Sequence, residues 1–148
     1  MFKFNDFLNL KLNDVVQELY IKFGKPEIVY KIPIYKRIST EVKIFRIPFF
    51  KKVEIYSGLF QTILIFHKGF FNDHECVCQY NTKNELTDII FLKNGDHHRL
   101  DGPAYISINN PDNNTFSING KKYMDELAYL IKVEQFKQKE INFWKKLI

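Results

Sequence analysis

Three segments between residues 66 and 120 each carry a strand-like run into a glycine: Phe66-His67-Lys68-Gly69, Phe91-Leu92-Lys93-Asn94-Gly95 and Phe116-Ser117-Ile118-Asn119-Gly120. The glycines fall 26 and then 25 residues apart. Two of the three are Asn-Gly, the dipeptide that enters a type I′ turn, because both central residues of that turn need positive φ. Further turn clusters lie between them, at Asn81-Thr82-Lys83-Asn84 and at Asn109-Asn110-Pro111-Asp112-Asn113-Asn114. The pattern predicts a β-meander in one continuous sheet, with strands near 75–80, 86–93, 103–108, 115–118 and 121–123. Successive hairpins bury one another's apolar face.

The first half extends the same alternation. Ile28–Ile32, Val42–Ile47, Val53–Tyr56 and Ile63–Phe66 read as strands, and Pro33 and Pro48 mark strand ends because proline cannot donate to a ladder. Fifteen Phe and eight Tyr among β-branched neighbours suit a pleated surface. Each end of the chain switches to helical spacing. Val15, Val16, Leu19, Tyr20 and Phe23 form one apolar face, with Asn13 as the expected cap and Gly24 as the stop. From Asp125, a capping residue, Leu127, Leu130, Ile131, Ile141, Trp144 and Ile148 give one broken stripe, and Tyr129, Val133, Phe136, Phe143 and Leu147 give a second. So broad an apolar surface exceeds what one sheet contact needs. Tyr129, Val133, Phe136, Phe143, Trp144 and Leu147 are therefore the expected interaction helix. The expected fold class is α+β, mainly an antiparallel meander in one domain over 1–148. Residues 1–25 are helical, 27–123 form the meander and 124–148 the long C-terminal helix.

At 148 residues, folding buries roughly 70% of the unfolded surface, so a core needs neither disulfide nor metal. The net charge of +5 rests on nineteen Lys and only three Arg. Lysine is a solvated point charge without the bidentate fork of arginine, which makes the basic balance a weak pointer to nucleic acid. The start of the chain has no signal-peptide layout, and no apolar run is long enough to span a membrane. Two cysteines at alternate positions are poorly placed for a disulfide, so a reducing, cytoplasmic setting is expected.

Little in the sequence carries chemistry. Serines are few and none lies in a nucleophile elbow; the six glycines are scattered singly, with no phosphate loop. No catalytic residue and no cofactor are expected. The polar turn His97-His98-Arg99-x-Asp101 could bind a small ligand or nucleotide, or merely close itself. His74, Cys76 and Cys78 face one side of a strand and are a weak candidate for zinc, set against two buried thiols and an incidental histidine. Phe45-Arg46-Ile47-Pro48-Phe49-Phe50-Lys51-Lys52 would suit a stacking surface for nucleic acid, although core rings with a solvated lysine edge fit it better.

The segment His98-Arg99-Leu100-Asp101-Gly102-Pro103-Ala104, preceded by Asn94-Gly95-Asp96 and followed by Asn119-Gly120-Lys121, resembles the H-R-x-D-G-P-A unit. That unit occurs in variant MORN-like repeat proteins of phages, bacteria and giant viruses. The resemblance covers residues 86–123 in a single copy. It implies stacked hairpins and a scaffold or interaction role, in a viral or phage accessory factor, rather than a reaction. The expected partner is a protein or a second copy of the chain. A small-ligand or nucleotide-sequestering counter-defence protein is the alternative, and a nucleic-acid binder the second alternative.

Overall fold

The computed structural model describes residues 10–31, 40–47, 51–58, 61–71 and 74–147. Ile32, Pro33, Pro48, Phe49, Phe50 and Ile148, used above, lie outside the described residues. Helix α1 spans Leu12–Phe23. It begins one residue before the expected cap: Lys11 holds the N-cap position with no side-chain bond, and Asn13 sits inside the first turn. The Leu12 amide is satisfied instead by the Asn84 carbonyl at 2.9 Å, so a distant turn does the capping. Gly24, at φ +77°, ends the helix as expected and donates to Tyr20 O at 3.0 Å.

Strands β1 (Glu27–Lys31), β2 (Thr40–Ile47), β3 (Lys51–Ser57), β4 (Thr62–Phe71), β5 (His74–Tyr80), β6 (Leu86–Lys93) and β7 (Asp96–His97) follow in sequence order as one antiparallel meander. Strand β8 (Tyr105–Ser107) also pairs with β6. After a 3-10 turn at Pro111–Asn113 come β9 (Phe116–Ile118), β10 (Lys121–Tyr123) and helix α2 (Glu126–Leu147). This is the α+β arrangement that the alternation implied. Among the described residues no helix is long and apolar enough to cross a membrane.

Two expectations are corrected. Gly69 ends nothing: β4 runs on to Phe71, with the register against β5 shifting between Phe66 and Phe71. Nor is the sheet continuous to the last hairpin, because β9 and β10 pair only with each other. The outer edge of β6 is already occupied. β7 takes Leu92 and Lys93 and β8 takes Asp88–Ile90, and on the far side of β8 only the single bridge Tyr105–Thr115 reaches toward β9. The two Asn-Gly turns do form, with φ of 53° and 85° at Asn94-Gly95 and 49° and 82° at Asn119-Gly120, as type I′ geometry requires.

The principal core lies between α1 and one sheet face. Val15 and Leu19 are fully buried against Phe45, Val53, Leu64 and Phe66. Each such side chain contributes roughly 1.5–3 kcal/mol. The strand period of two sends the alternate residues to the opposite face, where Ile44, Glu54, Ile65, Val77 and Ile90 form one cross-strand row. Glu54 is buried there within a polar set. Tyr56 donates to it, Lys52 Nζ and His67 Nε2 each stand 2.9 Å from its Oε1, and His67 Nδ1 lies 3.8 Å from Glu75. Burial raises the carboxyl's pKa, but donation from Tyr56 and Lys52 and the charge of Lys52 outweigh it and hold Glu54 at about 2. Because the folded value lies below the ordinary 4.5, this contribution is present above that pH and is lost as pH falls from there toward 2. It amounts to about 3 kcal/mol. Denaturant midpoints followed from neutral pH to pH 2 should therefore fall more steeply for the native chain than for Glu54→Gln. Parallel curves would mean that Glu54 is not held ionised by its neighbours.

Candidate functional site

The H-R-x-D-G-P-A segment forms a corner that joins the main sheet, the β9–β10 hairpin and α2. His98 donates its amide to Phe91 O at 3.1 Å, and Phe91 in turn donates to Ala104 O at 2.8 Å. The Arg99 amide reaches Ser117 O at 3.1 Å, and the Gly120 amide reaches His97 O at 2.9 Å. The His98 ring is fully buried, and its Nδ1 accepts the Asn119 amide at 2.8 Å. That bond requires a lone pair on Nδ1, so the neutral imidazole carries its proton on Nε2. The polar side chain that looked like a ligand donor from sequence thus holds the last Asn-Gly turn in place.

Arg99 and Asp101 are likewise architectural. The guanidinium donates to Asp101 Oδ1 at 2.9 Å and to Pro103 O at 3.2 Å, and it lies 4.3 Å from the centre of the Phe91 ring. It also explains Gly102. At φ +159° the glycine is close to extended, not left-handed as the turn chemistry suggested, but a Cβ there would stand 3.0 Å from Arg99 Cζ. The glycine is needed for close approach. Tyr129, fully buried on α2, closes the assembly: its hydroxyl lies 2.6 Å from Arg99 O and 3.0 Å from Gly102 O, and it accepts the Gly102 amide at 3.3 Å. Burial raises the Tyr129 pKa, which keeps the phenol protonated as a donor.

Helix α2 is capped by Asp125, whose Oδ1 accepts the Leu127 amide at 3.2 Å. Tyr129 and Val133 are buried with Ile118 in a second core that Leu100, Phe116, Tyr123 and Phe136 flank. Beyond Phe136 every described residue of the helix is exposed. These eleven residues extend about 16 Å. They carry Ile141, Phe143, Trp144 and Leu147, each 48–64% exposed. Leu127, Leu130 and Ile131 are exposed nearer the helix start. Of the expected interaction helix, Tyr129, Val133 and Phe136 therefore serve the body, while Phe143, Trp144 and Leu147 face solvent.

Where the overhanging helix passes the ends of β5 and β6 there is a cleft of about 670 Å³. His74, Lys93, His98 and Leu100 line one side, and Phe136, Lys139, Glu140 and Phe143 of α2 line the other. The His74 and His98 rings stack with centroids 5.0 Å apart and planes 29° apart, and Phe136 approaches His98 at 6.1 Å. Of the four candidate ligand residues at the polar turn, only His98 belongs to this cleft. His97 is exposed on β7, and Arg99 and Asp101 are occupied in the corner. Sequence reasoning missed Lys93 and the Lys139-Glu140 pair. A signal was present for each: Lys93 directly precedes an Asn-Gly turn, and Lys139 and Glu140 follow Phe136 at helical i+3 and i+4.

The zinc candidate comes apart. His74 stacks at the cleft while Cys76 and Cys78 lie in the principal core with their Sγ atoms 4.0 Å apart. Among the described residues no three His, Cys, Asp or Glu side chains are grouped to hold a metal. Contact with Cys78, then burial, raises the Cys76 pKa, so the thiol stays protonated and a poor nucleophile. Of the segment Phe45–Lys52, Phe45 is a core residue, Arg46 pairs with Glu27 at 3.2 Å and Lys52 pairs with Glu54, while Pro48, Phe49 and Phe50 lie outside the described residues.

No family model, curated protein or solved structure matches this chain. Its function must therefore be argued from the corner, the cleft and the exposed helix.

Proposed function

We propose that this chain is a non-enzymatic interaction protein, a MORN-like hairpin scaffold that associates with a second copy of itself through α2. The observation that carries this reading is the run of exposed apolar side chains on the overhanging half of the helix, Ile141, Phe143, Trp144 and Leu147. A helical segment of that length draws little stability from its own backbone, and helices of this kind are held by packing of an apolar face. Covering that face is the natural source of the missing contacts. Charge favours a second copy as the occupant. The helix starts acidic, at Asp125 and Glu126, and ends basic, at Lys145 and Lys146. Two copies laid antiparallel set each basic end against the partner's acidic end and oppose the two helix dipoles. The resemblance of residues 86–123 to variant MORN repeats of phages, bacteria and giant viruses supports the scaffold part of the reading, in an accessory role.

Sedimentation velocity on the full chain tests it. The native protein is expected to sediment as a dimer at micromolar concentration and to dissociate as salt rises. Ile141→Glu combined with Trp144→Glu should give a monomer with unchanged far-ultraviolet circular dichroism. A native chain that remains monomeric at millimolar concentration overturns the proposal.

A further inference from the structure

We infer that the second copy docks antiparallel on one defined seam of α2, made of Leu127, Leu130, Glu134, Lys137, Ile141 and Trp144, with Glu134 of each copy paired to Lys137 of the other. This inference rests on the self-association proposed above and adds its face, direction and register. The six residues follow one another at alternating steps of three and four, the spacing that keeps a line of side chains on one side of a helix. All six are exposed. The seam is distinct from the line that holds α2 to the body through Tyr129, Val133 and Phe136, which Phe143 and Leu147 continue along the overhang. Helix α2 thus turns one apolar line to the smaller core and a second, with two charges at its centre, to solvent.

The seam reads the same from either end: two apolar residues, two charges, two apolar residues. Leu127 and Trp144, Leu130 and Ile141, and Glu134 and Lys137 share one midpoint, between residues 135 and 136. A two-fold axis at that midpoint sets Leu127 opposite Trp144 of the second copy, Leu130 opposite Ile141 and Glu134 opposite Lys137, each contact occurring twice. The same axis brings the acidic first turn, Asp125 and Glu126, level with the basic last turn, Lys145 and Lys146. Other arrangements are penalised. A parallel pair in register sets Glu134 against Glu134 and Lys137 against Lys137, and like charges that face each other repel. Sliding one copy by a heptad in either direction places both charges against apolar side chains, which desolvates them without a partner. The charged centre gives up some apolar contact and fixes direction and register, as a polar residue within an apolar seam does.

Sedimentation velocity on charge variants of the full chain tests the seam. Glu134→Lys and Lys137→Glu should each weaken the dimer at least about tenfold, because each sets like charges across the axis twice. The double variant, Glu134→Lys with Lys137→Glu, should return to within about threefold of the native dissociation constant, since the opposite charges have only changed places. An equimolar mixture of the two single variants should form a heterodimer, with both lysines of one chain facing both glutamates of the other. Both positions are exposed and both replacements are good helix formers, so far-ultraviolet circular dichroism should be unchanged. A native dimer that the single variants leave intact, or a double variant as weak as the singles, overturns the seam while self-association stands. A native chain that stays monomeric overturns both.

Discussion

Replacing Tyr129 by Ala is expected to destabilise the protein by about 3–5 kcal/mol, and to do so by releasing α2 from the corner. The ring is fully buried, packs against Phe116 at 4.6 Å and Tyr123 at 6.3 Å, and its hydroxyl meets Arg99 and Gly102. Truncation leaves a cavity in the smaller core and strips the corner of a donor at once. Tyr129→Phe separates the two effects. It keeps the ring and leaves the Gly102 amide and the Arg99 carbonyl without the hydroxyl, at a cost of about 1–3 kcal/mol. Urea unfolding monitored by circular dichroism gives both values, and amide exchange along α2 should quicken in the Ala variant before exchange in β3–β5 does. If both variants unfold within about 0.5 kcal/mol of the native chain, α2 is not anchored through this residue.

His98→Ala is expected to cost about 2–4 kcal/mol, for a different reason. The loss is partly volume, between His74 and Phe136, and partly an unmet Asn119 amide inside the last hairpin. Amide exchange at Asn119 and Gly120 should therefore accelerate more than at Asn94 and Gly95, although the two turns have the same geometry. His98→Gln, which can present a carbonyl oxygen to the same amide, should recover part of the stability. A His98→Ala chain as stable as the native one would remove the structural role and return the imidazole to consideration as a ligand.

These two residues show what a one-dimensional reading reaches. Tyr129 is legible as part of an apolar helical stripe, and His98 as part of a turn motif. Neither pattern says that the two meet through Arg99 and Gly102. The strands were legible for a local reason: alternation of apolar and polar side chains and the positive φ demanded by Asn-Gly are properties of a few consecutive residues. β7 was not, because two residues carry no periodicity, and it exists only because the Asn94-Gly95 turn lays Asp96 and His97 along β6. The cap of α1 was misplaced for a related reason, since its partner Asn84 lies more than seventy residues away along the chain.

Element type, turn positions and the apolar helix faces are consequences of short-range sterics and periodicity, and they can be read from the order of the amino acids. Which strands fill the outer edge of β6, which glycine was needed for close approach, and which side chains line the cleft depend on contacts between residues far apart in the chain. Those contacts are settled by packing in three dimensions, where burial and hydrogen-bond satisfaction, not spacing, select among the arrangements that local rules permit.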